Sequence, residues 1–145
     1  MARIIQTGDT PAKRRHFHIR SCAEVLRLMA ERREFDEECR DMAAFMVYSL
    51  RGIHETIEGS AVAWDDRNYW KKAEALRHKW RWTRVAADEI EGYIRAESWY
   101  ELPHYLVTLV PHFSDVKVSA ITRNADLWCG ALRSLLKTPA NAASA

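Results

Sequence analysis

Apolar side chains recur at three- and four-residue steps through most of the chain, which is the spacing of one face of an α-helix. The chain contains only 5 Gly and 4 Pro, and this disfavours a turn-rich β fold. We therefore predict an all-α fold, an antiparallel helical bundle. Three series of apolar positions support it: Cys39, Met42, Met46, Leu50, Ile53 and Ile57; Tyr69, Ala73, Leu76, Trp80, Thr83, Ala87, Ile90 and Ile94; and Val118, Ile121, Ala125, Trp128, Leu132 and Leu135.

Capping and breaking residues predict about five helices, three long and two short. The predicted domain organisation is a basic, flexible N-terminal tail over 1–20, one bundle domain over 21–137 and a frayed C-terminal tail over 138–145. The first predicted helix begins at a capping box of Ser21 and Glu24 and ends near Glu34, and the second runs from Asp36 to Gly59 and Ser60. The third, the longest, runs from about 67 to about 97. The fourth begins at a capping box of Ser98 and Glu101 and ends before Pro111, and the fifth begins at Ser114.

The three cysteines, Cys22, Cys39 and Cys129, are far apart in sequence and fall on apolar helical positions. They predict reduced core thiols in a cytoplasmic protein and not a disulfide or zinc framework. The N-terminus has no apolar run long enough for a signal peptide or a membrane span, so we expect no membrane partner.

Positive charge is concentrated in two places, although the whole chain carries only +2. Residues 67–84 hold seven Lys or Arg and one Glu together with three tryptophans, and the first twenty residues carry +4. Residues 31–41 are locally acidic. Cations interleaved with aromatics are suited to a phosphate backbone with stacked bases, and equally to a protein interface.

Two features of the predicted helices exceed what a single bundle core needs. On helix three, Leu76 and Trp80 point to the core, which leaves an outward set of Trp70, Lys71, His78, Arg81 and Trp82. Helix two is apolar nearly all round over 43–48, and such a helix is normally enclosed on every side. We expect a homo-oligomer to cover these surfaces. The alternative is that helices one, four and five wrap helices two and three within one chain.

Two pairs of ionisable residues have the spacing of metal ligands on helices. They are His54 with Glu58, and Glu74 with His78. Because both fall beside or opposite the predicted core faces, interhelical salt bridges are the better interpretation. A turn near residue 62 would pair Glu58 with Arg67 and Arg51 with Glu74. We therefore predict no metal site and no cofactor.

The acidic pattern Glu34-x-x-Glu37 followed by Glu55-x-x-Glu58 resembles the EXXE…EXXD magnesium ligands of the all-helical MazG-like nucleotide pyrophosphohydrolases, with Glu58 in place of the final Asp. The resemblance implies a metal-dependent nucleotide hydrolase. In that family the two pairs converge from facing helices. Here Glu37 and Glu55 lie on one predicted helix, about 27 Å apart at the usual rise per residue. This function is a minor alternative.

No nucleophile of the sequence has the surroundings of a catalytic one, since the cysteines lie on core positions and Ser60 and Ser114 are turn or cap residues. His104 and His112 are expected to be polar groups near a helix end. We therefore predict a non-catalytic assembly or adaptor module, homo-oligomeric, that contacts a partner through the outer face of helix three. The alternative is a nucleic-acid-binding protein that uses the basic tail, with Lys13, Arg14 and Arg15 as an arm, and the basic ridge from Arg67 to Arg84. An acidic protein surface is a further possible partner.

Overall fold

The computed structural model describes residues 10–140, and this part of the chain contains helices and no strand. The prediction of an all-α bundle of five helices is confirmed. No helix within these residues is both long enough and apolar enough to cross a lipid bilayer. The helices are α1 (Pro11–Ala30), α2 (Glu37–Asp66), α3 (Trp70–Arg95), α4 (Glu101–Val107) and α5 (Ala131–Lys137), with short 3₁₀ turns at Val110–Phe113 and Ala125–Leu127.

Helix α1 begins ten residues earlier than the predicted start at Ser21. Thr10 caps it, because its Oγ1 accepts a hydrogen bond from the Lys13 backbone N–H at 3.1 Å, and Pro11 is tolerated in the first turn. The predicted capping box is wrong, since the Ser21 hydroxyl donates to the Phe17 carbonyl inside the helix. Of the predicted N-terminal tail, residues 11–20 are helical, and residues 1–9 lie outside the described part of the chain.

Helix α2 starts as predicted, with an Asp36 carboxylate oxygen accepting from the Cys39 N–H at 2.9 Å. It does not stop at Gly59 and Ser60 but continues to Asp66. The turn to α3 follows at 67–69, where Asn68 adopts φ 64°, a left-handed conformation that asparagine tolerates well.

The later turn shifts the register of α2 against α3, so both predicted salt bridges are wrong. Arg51 pairs with Asp88 and Glu91 at 2.9 and 2.7 Å, and Glu58 accepts from Arg77 at 3.3 Å.

The fifth helix predicted from Ser114 is also wrong over most of its length. Residues 114–124 form an irregular segment along α1, and the helix begins only at Ala131, after Gly130 at φ 80°. The count of three long and two short helices holds, but α1 is one of the long ones and the C-terminal helix is short.

The core lies around α2, whose residues 42–47 are at most 3% exposed. Helices α1 and α3 pack on α2, and the C-terminal segment covers its remaining side. There Trp128 packs on Phe45 with ring centroids 6.2 Å apart, and the Tyr48 hydroxyl donates to Ser134 at 3.1 Å. The apolar surface all round α2 is therefore covered within one chain, and it no longer argues for an oligomer.

Candidate interaction surfaces

Four of the five residues predicted on the outer face of α3 are exposed. Trp70 is 67% exposed and Lys71, His78 and Arg81 are also open to solvent. Glu74 lies among them and approaches Arg81 at 3.9 Å, an exposed pair that stabilises little. The outer face of α3 thus displays one large aromatic ring and several cations.

Trp82, the fifth predicted residue, is not available to a partner in the same way. Its ring is half-buried and stacks on His112 with centroids 3.8 Å apart and planes 9° from parallel. Phe113 meets it edge-on at 5.6 Å, and Trp80 stacks behind it at 6.3 Å. The sequence did not predict that the segment after α4 reaches this face. Because His112 and Phe113 of that segment cover Trp82, a tryptophan at this position needs no partner outside the chain. Trp80 is half-buried against the core, in line with the sequence prediction.

The α2–α3 turn adds an aromatic residue that the sequence placed in the core. Tyr69 is 49% exposed beside Trp70, because the helix begins one residue after it. Arg67 lies over the Tyr69 ring at 5.6 Å, and Lys72 lies 5.7 Å from the rings of both Tyr69 and Trp64. We call Arg67, Tyr69, Trp70, Lys71 and Lys72 the hairpin tip.

The basic residues predicted as a flexible arm belong to the first turns of α1. Lys13 is exposed, and Arg14 is half-buried and makes an interaction of its own. Arg15 is held against α2, donating to the Thr56 and Ser60 hydroxyls at 3.0 and 3.1 Å. Burial lowers the pKa of the Arg15 guanidinium. Arg15 therefore fixes α1 to α2 and is a poor candidate for a nucleic-acid contact.

The basic residues at the start of α1 and the outer face of α3 lie on different sides of α2. Arg77 of α3 donates to Glu58 and Asp65, at 3.3 and 2.9 Å. On a helical wheel the Glu58 and Asp65 pair lies about 170° from the Thr56 and Ser60 pair that holds Arg15. The structure thus does not join the basic N-terminal residues and the basic face of α3 into one ridge.

A second charged surface lies at the opposite end of α2, around the α1–α2 turn. Residues 31–41 contain six acidic and three basic residues. Glu34 and Glu37 are exposed and have no ion-pair partner among residues 10–140. We call residues 31–38 the acidic turn. Because α2 has 30 residues, the acidic turn lies about 45 Å from the hairpin tip.

The side chains considered as metal ligands are not grouped. Within residues 10–140 no three His, Cys, Asp or Glu side chains could hold a metal ion together. Glu37 and Glu55 both lie on α2, so the two acidic pairs of the MazG-like pattern do not converge. Glu58 is engaged by Arg77.

Cys22 and Cys39 are buried as predicted, and burial raises the pKa of both thiols, that of Cys39 to about 11. Cys129 is exposed, because the predicted helix around it does not form, and its assignment to the core was wrong.

One buried polar cluster was not foreseen from the sequence. Glu24 is 0% exposed, and its carboxylate accepts from the Thr122 N–H, the Thr122 hydroxyl, the Arg123 N–H and Arg20 Nε, all at 2.6–2.8 Å. Burial alone would raise the pKa of Glu24, but these hydrogen bonds outweigh it and hold the pKa at about 2. The cluster ties residues 114–124, which we call the strap, to α1.

Other α1 side chains complete this attachment. Arg20 donates to the carbonyls of Lys117 and Ala120 at 3.0 and 2.8 Å, and Arg27 donates to the Val118 carbonyl. The Arg123 guanidinium lies 4.4 Å from the Phe17 ring. The only local signal for the cluster is the Arg20 to Glu24 spacing, which is common on solvated helices. The strap thus holds a structural role, because its backbone carbonyls and N–H groups and its Arg123 side chain are used in contacts with α1.

The comparisons with known proteins do not extend this description. No protein-family model matches the chain, and searches of curated proteins and of solved structures return no match.

Proposed function

We propose that this chain is a non-catalytic assembly module that associates with copies of itself head to tail. In this proposal the outer face of α3, which carries Lys71, His78 and Arg81, contacts the acidic turn of a neighbouring copy together with the hairpin tip. The observation that carries it is the placement of two complementary, exposed charged surfaces at opposite ends of one long helix.

At each end some polar or charged side chains have no internal partner and can engage a neighbour. Lys71 and His78 have no ion-pair partner among the described residues, and neither have Glu34 and Glu37. Residues 67–84 carry a net +6 and residues 31–41 a net −3, so contact between the two is favoured over contact of either with itself. A contact between two different surfaces of the same chain is heterologous and generates rings or open filaments.

Trp70 is suited to be the apolar anchor of this contact. Tryptophan and arginine dominate the binding energy of protein interfaces when they are covered by a partner. At 67% exposure, Trp70 leaves most of its ring to be buried on association. All three cysteines are free thiols, which agrees with assembly in a reducing compartment such as the cytoplasm.

A charge-exchange experiment tests the head-to-tail contact directly. One variant carries Lys71→Glu with Arg81→Glu, and the other carries Glu34→Lys with Glu37→Lys. Sedimentation velocity over a concentration series should show association of the wild type and its loss in each variant. An equimolar mixture of the two variants should recover association, because each reversed surface then meets a complementary one.

Salt and a matched charge change provide the controls. Association of the wild type should weaken from about 0.1 M to about 1 M salt, where the Debye length falls from about 10 Å to about 3 Å. Lys13→Glu with Lys117→Glu alters the net charge equally, at exposed positions outside both surfaces, and should leave association unchanged. A monomeric wild type at high concentration and low salt would refute the proposal.

Nucleic-acid binding is the second candidate, favoured by the exposed Trp70 and Tyr69 rings among the cations of the hairpin tip. Bases can stack on such rings while lysines contact the phosphates. Fluorescence anisotropy with labelled single- and double-stranded oligonucleotides, at two salt concentrations, tests this. Trp70→Ala should cost about 1–3 kcal/mol of binding free energy if bases stack there.

The oligonucleotide titration needs an aromatic control and a link to the first proposal. Tyr100 is 79% exposed on another part of the surface, so Tyr100→Ala should bind like the wild type. The Glu34→Lys, Glu37→Lys variant separates the two functions, since it should lose self-association without losing nucleic-acid binding. Absence of salt-dependent binding to either oligonucleotide would exclude this candidate.

A further inference from the structure

An apolar groove lies between the C-terminal half of α1 and the segment from α4 to the strap. Its larger part has a volume of about 370 Å³ and its smaller part about 90 Å³, and both are lined by Leu26, Ala30 and Val110. Val107 and Val110 are 68% and 51% exposed at this groove, although they are large apolar side chains. Hence a continuous apolar surface remains open to solvent here, outside both surfaces of the proposed assembly.

The walls of the groove are firmly placed. Leu26 and Phe113 belong to the core, and the strap contributes Val116 and Val118. The strap itself is tied to α1 through the buried carboxylate of Glu24. Small-molecule sites are typically preformed clefts of roughly 300–1,000 Å³ with mostly apolar linings, and this groove matches that description.

Two polar side chains line the groove, Arg27 and Ser114. Arg27 donates through Nη1 to the Val118 carbonyl and through Nε to Glu31 at 3.3 Å, while its Nη2 has no partner within residues 10–140. Both side chains of the Arg27–Glu31 pair are exposed, so this ion pair stabilises little. An incoming anion can therefore replace Glu31 as the partner of Arg27 at little cost in free energy. A guanidinium with an unused nitrogen favours a carboxylate.

We propose that the groove binds a small amphipathic anion of the medium-chain carboxylate class. The aliphatic chain lies along Leu26 and Val110, and the carboxylate contacts Arg27. The α1 side of the groove, from Ala23 to Ala30, is about 10 Å long, which suits a short saturated chain better than a partner helix. The site adjoins the acidic turn through the Arg27–Glu31 pair, but none of the residues that line the groove belongs to either surface of the proposed head-to-tail contact.

Calorimetric titration with three ligands of equal chain length tests the site: decanoate and decyltrimethylammonium below their micelle concentrations, and decanol below its solubility limit. Decanoate should bind saturably with one site per chain, decanol more weakly, and the cation weakest. Arg27→Gln should lower decanoate affinity about tenfold and leave decanol unchanged, because only the charged hydrogen bond is lost. Glu31→Gln should raise decanoate affinity, since it removes the competing carboxylate.

Two further variants keep the test decisive if Arg27→Gln loosens the strap. Ala30→Phe fills the groove from the exposed end of α1 and should abolish binding of decanoate and decanol. Ala63→Phe places the same ring on an exposed part of α2 and should bind both ligands normally. Equal binding of the anion and the cation, or normal binding by Ala30→Phe, would overturn the proposal. Dissociation of an oligomer by Ala30→Phe would also overturn it, because a second copy would then cover the groove.

Discussion

At the scale of single residues, Glu24 links the pH to the stability of the fold. Its folded-state pKa of about 2 lies below the ordinary 4.5, so its contribution is present above pH about 4.5 and is lost as the pH falls toward 2. The shift corresponds to about 3 kcal/mol. Urea denaturation of the wild type between pH 5 and about 2 should show this loss.

Glu24→Gln is the variant that tests this assignment. It should cost about 2–3 kcal/mol at pH 7, because charged hydrogen bonds to the strap are replaced by weaker ones. Its stability should then change less than that of the wild type below pH about 4.5. A variant as stable as the wild type at pH 7 would contradict a structural role for the buried carboxylate.

His18 should make the stability of the fold depend on pH in a higher range than Glu24 does. The ring is 8% exposed, and burial together with Arg14 and Arg123 lowers the pKa of His18 from 6.5 to about 4. The neutral ring is therefore the form that the fold accepts. The contribution of the neutral His18 ring to the free energy of unfolding should be fully present above pH about 7. It should decrease by about 3 kcal/mol as the pH falls to about 4.

His18→Gln removes the titrating group and should flatten the stability curve between pH about 7 and about 4.5, above the range of Glu24. Urea denaturation at several pH values would check it. A wild-type curve that is already flat in this range would mean that folding does not lower the pKa of His18.

At the scale of elements, two glycines of α2 provide a matched pair. A Cβ on Gly52 would lie 2.5 Å from His18 Nε2, whereas a Cβ on Gly59 would meet nothing within 4 Å. Gly59→Ala should stabilise the protein by about 0.5–1 kcal/mol through helix propensity. Gly52→Ala should destabilise it by about 1–3 kcal/mol through overpacking. Thermal unfolding of both variants measures the difference, and similar melting temperatures would contradict the α1–α2 packing.

The same elements show which parts of the fold the sequence predicts. Helices α2 and α3 were predictable because their apolar residues repeat without interruption and Asp36 is a strong cap. The start of α1 was missed because a run of basic residues hides its apolar face. The strap was missed for a different reason: the series from Val118 to Trp128 has helical spacing, but its backbone is engaged by Glu24 and Arg20. Those contacts span about a hundred residues of sequence, so no local pattern reports them.

The surfaces were predictable to a smaller degree than the helices. Trp70, Lys71, His78 and Arg81 lie on the outside of α3 as the helical wheel indicates. Trp82 does not, because the wheel gives only a direction and cannot show that His112 and Phe113 cover that direction. The direction in which a side chain points is thus predictable from its own helix, whereas its burial depends on segments that are distant in sequence.

At the scale of the whole molecule, the C-terminal segment takes the place that a second subunit would otherwise fill on α2. Trp128 is 3% exposed against Phe45, and Asp41 accepts a hydrogen bond from the Leu132 N–H at 2.9 Å. Deletion of residues 128–145 should therefore cost at least the roughly 3–5 kcal/mol of losing one buried tryptophan. It should also expose an apolar strip on α2, and such strips drive association.

Association of the truncated chain should differ in kind from that of the wild type. Because it buries apolar surface, it should persist in about 1 M salt, where screening should weaken the head-to-tail contact of charged surfaces. Deletion of residues 139–145 is the control and should change neither stability nor association. Sedimentation velocity at low and high salt, with urea denaturation of both truncations, measures these outcomes. A chain that ends at Leu127, does not associate in about 1 M salt and is as stable as the wild type would show that α2 does not need this cover.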